Sequence, residues 1–263
     1  MAIPDRVTLS EIALDVAREA AALALAGWRS RPEVEHKGSY ADLVTKFDLE
    51  SERLIRARLA ERTPEMAIVG EEQGGSANDA PTWFCDPIDG TVNFTHGHPF
   101  FAVSIGVLER GVPIAGAVVA PAIGTMWQGA VGHGAFRNGQ PCFVSQQSKL
   151  DDSLLASGFS PTMRRAGHPE DNLAAFTRVM PAVRDIRRCG SAALDLCLVA
   201  DGTYEAYWER KLSPWDTAAG TALVLAAGGT VTSLQGGPVD LARGYLIASN
   251  GRVHAALVEM LRD

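Results

Sequence analysis

The chain has 263 residues, 46% of them hydrophobic and 21% charged, with a formal net charge of −7. That composition fits a globular chain of one large unit or two closely fused halves, and its acidic balance argues against the basic surface a nucleic-acid binder needs. The four scattered cysteines (Cys85, Cys142, Cys189, Cys197) form no Cys-x-x-Cys pair, so they read as reduced, buried thiols and not as a disulfide frame or a zinc site. The most apolar long stretch, residues 9–28, is interrupted by Glu11, Asp15, Arg18 and Glu19. With no basic leader followed by an apolar core, the expectation is a cytoplasmic protein without a membrane span.

In chain order, residues 8–26 read as an amphipathic helix capped by Thr8 or Ser10, with Ile12, Val16, Ala20 and Leu23 on one face. A candidate strand follows at residues 34–37, then a second amphipathic helix at residues 49–61. Asp48 stands at the start of that helix as a cap or as a functional carboxylate. Residues 66–69 form a short apolar strand ending in Gly70-Glu71-Glu72. Adjacent glutamates there are either solvated charge or ligands presented at a strand end. Residues 73–82 are small, polar and proline-punctuated, a surface loop.

The next stretch, Trp83-Phe84-Cys85-Asp86-Pro87-Ile88-Asp89-Gly90-Thr91-Val92-Asn93-Phe94, organises the chain. Its apolar start reads as the end of a buried strand. Pro87 fixes its own φ and biases Asp86 towards an extended conformation, so the strand is expected to stop at Asp86. Two carboxylates three residues apart offer hard oxygens, while Gly90 lets the backbone approach a ligand closely. A helix opening at Thr91 would aim N–H groups at the same point. Together these features suit a Mg²⁺-bound phosphate, although Asp-Pro or Asp-Gly alone is an ordinary turn signal.

Residues 101–108 and 112–120 read as a hairpin, continued by strands at 125–130 and 134–137, with Asn138-Gly139 as a tight turn. His96-Gly97-His98 reads as a loop making ordinary hydrogen bonds in preference to a transition-metal pair. After a polar connection at 145–153, strands are expected at 154–159, 183–188, 203–208, 230–233 and 245–248. Helices are expected at 171–180, from Gly190-Ser191-Ala192 to Val199, at 217–227 and at 253–261. The first half (residues 1–145) is therefore α+β with a mainly antiparallel sheet, and the second (residues 146–263) a smaller mixed α/β unit. Asp216 either caps the helix after it or points a carboxylate into a cleft between the halves.

The hexapeptide Asp86-Pro87-Ile88-Asp89-Gly90-Thr91 does not stand alone: Gly70-Glu71-Glu72 precedes it, and Pro214-Trp215-Asp216-Thr217-Ala218-Ala219-Gly220 comes after it. From about Leu9 to about Leu261 the chain resembles the inositol monophosphatases, within the wider group of Mg²⁺-dependent, lithium-sensitive sugar-phosphate phosphatases. Cys85 departs from the aliphatic residue more usual there. The resemblance implies a layered α/β sandwich of the inositol monophosphatase and fructose-1,6-bisphosphatase type. It also implies hydrolysis of inositol 1-phosphate to inositol and phosphate by direct attack of a metal-activated water. Glu71, Asp86, the carbonyl of Ile88, Asp89 and Asp216 become the ligands of two Mg²⁺ ions, with a third ion near Glu71. Thr91, with Asp48 behind it, orients and deprotonates the water, and Glu71 belongs to the same catalytic set. Asp89, Gly90, Thr91, Gly190, Ser191, Ala192, Glu209 and Asp216 face the substrate, Glu209 accepting from inositol hydroxyls, while Lys37 and Glu72 lend support. The expected assembly is a homodimer, to which the apolar strands between residues 101 and 120 would lend a face, with no nucleic-acid or membrane partner. Two rivals stay open. One is the same chemistry on histidinol phosphate (for which Glu205, Glu209 and Asp195 would be the acidic groups), fructose 1,6-bisphosphate or a 3′-phosphonucleotide. The other is a non-catalytic interaction protein that retains the fold.

Overall fold

A computed structural model describes residues 3–36, 43–159 and 172–262. Helix α1 (Arg6–Gly27) starts earlier than expected because the Asp5 carboxylate, and neither Thr8 nor Ser10, caps it by accepting the Thr8 N–H at 2.9 Å. Its buried stripe runs through Leu9, Ala13, Val16, Ala17, Ala20, Ala24 and Gly27. The expected Ile12 and Leu23 sit at its margin, because the small side chains let the helix press closer to the strands beneath it. Strands β1 (Val34–His36) and β2 (Leu43–Thr45) pair antiparallel. Helix α2 (Lys46–Arg62) then starts at Thr45, with Asp48 completing a capping box at its third position.

A seven-stranded sheet comes next, made of β3 (Ile68–Gly70), β4 (Thr82–Asp89), β5 (Ala102–Glu109), β6 (Val112–Ala120), β7 (Thr125–Ala130), β8 (Gly134–Arg137) and β9 (Gln140–Cys142) in sequence order. Only β3 and β4 pair parallel; the rest form an antiparallel meander. Asn138 and Gly139, both at positive φ, close its last hairpin. Contrary to expectation, β4 does not stop at Asp86. It continues through Pro87 to Asp89, with the register against β5 shifting between the two aspartates. Such an irregularity tolerates a residue that cannot donate to the ladder. The five-residue helix α3 (Thr91–Thr95) opens directly after Gly90.

The second sheet has the order β11 (Asp185–Arg187), β10 (Leu154–Ser157), β12 (Ala206–Glu209), β14 (Leu246–Ser249), β13 (Thr230–Thr232). Strand β10 runs parallel to both neighbours, and the remaining pairs are antiparallel. Its helices are α4 (Leu173–Val179), α5 (Ala192–Ala200), α6 (Pro214–Ala226) and α7 (His254–Leu261). The result is the layered α/β sandwich expected. Alternate residues of β4 to β6, such as Trp83, Ile105 and Ala117, face α1 and α2. Phe84, Ala102 and Val118 face α5 and α6, which rest with their other side on Ala156, Tyr207 and Ala248 of the second sheet. Helices α4 and α7 cover the outer face at Leu155, Trp208 and Ile247. The boundary expected after residue 145 falls between the two sheets, while the apolar cluster around α5 and α6 draws on both. One expectation needs correcting. Strands β5 and β6 are sheathed by α1 and α6 of the same chain, so they offer no uncovered face to a second copy. Among the described residues no helix is long and apolar enough to cross a membrane, and all four cysteines are free.

The seat of α6 is set by glycine. Gly106, Gly116 and Gly129 stand opposite one another on β5, β6 and β7, forming a row without side chains. A Cβ on Gly106 would lie 2.4 Å from the Ala219 nitrogen, and one on Gly116 2.7 Å from its Cα. Helix α6 therefore lies backbone to backbone in a trough of glycines. Gly106→Ala is expected to destabilise the protein by about 1–3 kcal/mol, the range for overpacking a filled interior. Thermal unfolding read by circular dichroism checks this, and an unchanged midpoint would contradict the close seating of α6.

Candidate active site

The C-terminal end of β4, the start of α3, the turn after β3 and the N-termini of α5 and α6 converge on one cleft of about 220 Å³. Eleven of the sequence-derived site residues line it: Glu71, Asp86, Ile88, Asp89, Gly90, Thr91, Gly190, Ser191, Ala192, Glu209 and Asp216. Two others do not. Asp48 is fully buried behind Thr91. Glu72 is absent from the lining and offers its N–H to Glu52 instead. Lys37 lies outside the described residues.

Each element aims its side chain for a local reason. Asp86 accepts the Ile88 N–H at 2.9 Å, which fixes its carboxylate beside the irregular stretch of β4. Gly90 has φ 93°, and a side chain there would also crowd the carbonyls of Phe100 and Gly190. Thr91 donates its hydroxyl to Asp48 Oδ1 (3.2 Å) and to the Ile88 carbonyl (3.0 Å). The other oxygen of Asp48 accepts both the N–H and the hydroxyl of Thr45. Asp48 thus closes the capping box of α2 and at the same time holds the Thr91 hydroxyl. Asp216 is likewise not the N-cap. Ser213 holds that position, and Asp216, three residues on, accepts the Ser213 N–H at 2.7 Å while lining the cleft.

The two halves are tied together at this point. Asp89 accepts the Ser191 hydroxyl at 2.5 Å and the Ala193 N–H at 2.8 Å, at the positive end of α5. Asn93 donates across the same gap to the Cys189 carbonyl (2.9 Å) and, within its own half, to the Phe100 carbonyl (2.7 Å). Glu209, 8% exposed, receives the Tyr207 hydroxyl and lies flat against Gly158, where a Cβ would stand 1.8 Å from its Oε2. Asn93, Gly158 and Arg188 are cleft residues that sequence reasoning did not single out. Asn93 sits in the organising motif, the one signal that could have marked it. Arg188 ends the segment 183–188 that the sequence marks only as a strand, yet it is the one cation among the described lining residues.

The electrostatics are those of crowded anions. Burial pushes the Asp86 carboxyl well above the usual carboxylate range, and Glu71, Asp89 and Asp216 push it further. Asp216 rises for the same reasons, burial first and then Asp89 and Glu71. Asp89 is raised by burial to about 6, although the Ser191 and Ala193 hydrogen bonds pull the other way. Asp195, buried behind Glu209, is also raised by burial and by Glu209. In kind, the donors suit a hard divalent cation: carboxylate and carbonyl oxygens, with no imidazole or thiolate among the described lining residues. Among the described residues no three acidic, histidine or cysteine side chains form a ready-made group able to hold a metal, although Glu71, Asp86, Asp89 and Asp216 are near enough to act on one another. His96 and His98 form no such group; their Nδ1 atoms meet the Val92 carbonyl and the Phe100 N–H.

Comparison with known proteins gives this geometry a context. A family profile described as "Inositol monophosphatase family" matches residues 5–263. The chain is 38% identical over 259 residues to an inositol-1-monophosphatase of Synechocystis sp., covering 98% of this chain and 90% of that protein. It superimposes on the structure of an inositol monophosphatase from Anabaena (Nostoc) sp. PCC 7120 with TM-score 0.87 at 38% identity, covering 97% of this chain and 95% of that one. On the extragenic suppressor protein suhB of Bartonella henselae the TM-score is 0.90 at 33% identity, covering 97% and 99%. The chain belongs to the inositol monophosphatase family and is a phosphatase.

Proposed function

We propose that this phosphatase is Mg²⁺-dependent and hydrolyses inositol 1-phosphate to inositol and phosphate. The observation that carries the reading is the cleft itself. Four buried or half-buried carboxylates crowd together in its lining, and Glu209, held by Tyr207, lines the same cleft. Glu71, Asp86, the Ile88 carbonyl, Asp89 and Asp216 would hold Mg²⁺, two ions and a third beside Glu71. Bound Mg²⁺ supplies the positive charge that offsets the phosphoryl oxygens and lowers the pKa of water at the site. The chain's own groups do the rest. The Thr91 hydroxyl hydrogen is committed to Asp48 and the Ile88 carbonyl, which leaves its oxygen to accept a proton from the water that attacks phosphorus while its own hydrogen passes to Asp48. Backbone N–H groups of Gly90 and Thr91 would meet the phosphate, and the loop Gly190-Ser191-Ala192 would flank the sugar ring. Glu72 and Lys37 remain supporting residues in this reading.

Glu209 selects the substrate. A carboxylate facing a phosphate cleft makes sense as an acceptor for polyol hydroxyls, and a site built to bond hydroxyls rejects ligands that leave it unpaired. The histidinol phosphate alternative loses two of its three acidic groups: Glu205 is occupied with the Leu154 N–H at 2.7 Å and Asp195 is buried behind the wall. Arg188, exposed at the rim, adds a like charge against such a cation. The small cleft suits a single-ring ester. A panel of inositol 1-phosphate, histidinol phosphate, fructose 1,6-bisphosphate and glycerol 2-phosphate, assayed for phosphate release with and without Mg²⁺, tests the reading. Inositol 1-phosphate is expected to be the best substrate, with turnover abolished by chelation. Glu209→Ala should weaken its use while sparing glycerol 2-phosphate. Equal loss on both esters would assign Glu209 to the chemistry, and metal-independent turnover would refute the reading as a whole.

The cytoplasmic location rests on the reading of the four scattered cysteines as reduced thiols, and the homodimer on the family resemblance alone, since β5 and β6 are covered within the chain. Light scattering at micromolar concentration should return twice the chain mass of 28.0 kDa. A value at the chain mass itself would reject the dimer.

A further inference from the structure

Helix α2 carries a second buried carboxylate that neither the sequence reading nor the proposed mechanism uses. Glu52 lies one turn beyond Asp48 on the same face, and its side chain is wholly excluded from solvent. Its two oxygens accept the N–H groups of Glu72 (2.6 Å) and Gln73 (3.0 Å), together with Arg56 Nε (2.7 Å). Arg56 in turn reaches the carbonyls of Ile68 (3.3 Å) and Gly74. The clasped segment is the tight turn after β3, closed by reciprocal backbone bonds between Gly70 and Gly74. Gly70 has no room for a side chain, because a Cβ would sit 2.4 Å from Glu52 Oε1. Glu71 is the second residue of that turn and the one whose side chain enters the cleft.

We propose that Glu52, braced by Arg56, is a positioning residue for the metal site, holding the turn so that Glu71 is presented to the ion. The inference rests on the reading of Glu71 as a Mg²⁺ ligand. Through Glu52 and Asp48, one face of α2 then sets two parts of the site at a fixed separation: the turn that presents Glu71 and the Thr91 hydroxyl. A carboxylate is needed at 52 because it meets three donors. A glutamine would turn its NH₂ towards an N–H, losing one acceptor and adding a repulsion.

Calorimetric titration of the protein with Mg²⁺ alone, without ester, tests this. The wild type should bind Mg²⁺, and Glu52→Gln should weaken that binding by about 10- to 100-fold, the usual range for groups that orient a metal ligand. The Mg²⁺ concentration for half-maximal turnover should rise in step, while KM for inositol 1-phosphate at saturating Mg²⁺ stays put. In a Glu71→Gln background the same substitution should add little, because both changes act through one ligand; a general packing defect would add in full. Arg56→Lys, which keeps the charge but loses the fork, should shift Mg²⁺ binding in the same direction by less, and it carries the test if Glu52→Gln does not fold. Wild-type Mg²⁺ affinity in the folded variants would overturn the positioning role and leave the ligand reading intact. A wild type that binds no Mg²⁺ would overturn both.

Discussion

Everything at the cleft depends on how closely α6 approaches the seven-stranded sheet. The halves contribute different parts of the site: Asp86 and Asp89 from β4, Asp216 from α6, and Ser191 from the start of α5. Only the glycine row of β5, β6 and β7 lets Ala219 settle against bare backbone. Since α6 is a rigid rod through Thr217–Val224, whose every residue is buried, its depth in that trough fixes where its N-terminal carboxylate stands. Ser213, through its N–H, and the start of α5, through Asp89, then set the last angles.

What this packing achieves is unfavourable in isolation. Carboxylates removed from water and crowded together lose solvation and repel one another, and the raised Asp86, Asp89 and Asp216 are the consequence. The core on either side holds them there, and the positive end of α5 offsets part of the charge at Asp89. A site built this way sacrifices stability for readiness to take a cation. The buried partners behind it, Asp48 for Thr91 and Tyr207 for Glu209, have their hydrogen bonds made within the protein, so these groups are oriented before any ligand arrives.

Much of this was legible in the chain, and the reasons differ by element. The bounds of β6, β7 and β8 match the expected ones because apolar runs of strand length and turns such as Asn138-Gly139 are local signals. The acidic hexapeptide was legible because strand, proline and glycine each constrain the backbone. Caps were less so: Asp5, Thr45 and Ser213 start their helices where neighbouring polar residues looked equally able. The run of β4 past Pro87 was missed since a bulge depends on the partner strand. Asn93 and Glu209 find their partners, the Cys189 carbonyl and the Gly158 backbone, far along the chain, and no local pattern announces such pairs. Glu52 resembled the other charges of α2, and only its burial against a distant turn distinguishes it.

The central claim is that the fold holds repelling carboxylates together for a cation to neutralise. Its most direct test is the thermal midpoint of the wild type and of Asp86→Asn, each with and without Mg²⁺. Asparagine keeps an oxygen to accept the Ile88 N–H while removing one buried charge. The account predicts that Mg²⁺ raises the wild-type midpoint, because a ligand that binds only the folded state stabilises it. It further predicts that Asp86→Asn raises the midpoint without Mg²⁺ and abolishes the response to it. A wild type indifferent to Mg²⁺, or an Asp86→Asn variant less stable than the wild type without the ion, would contradict the account.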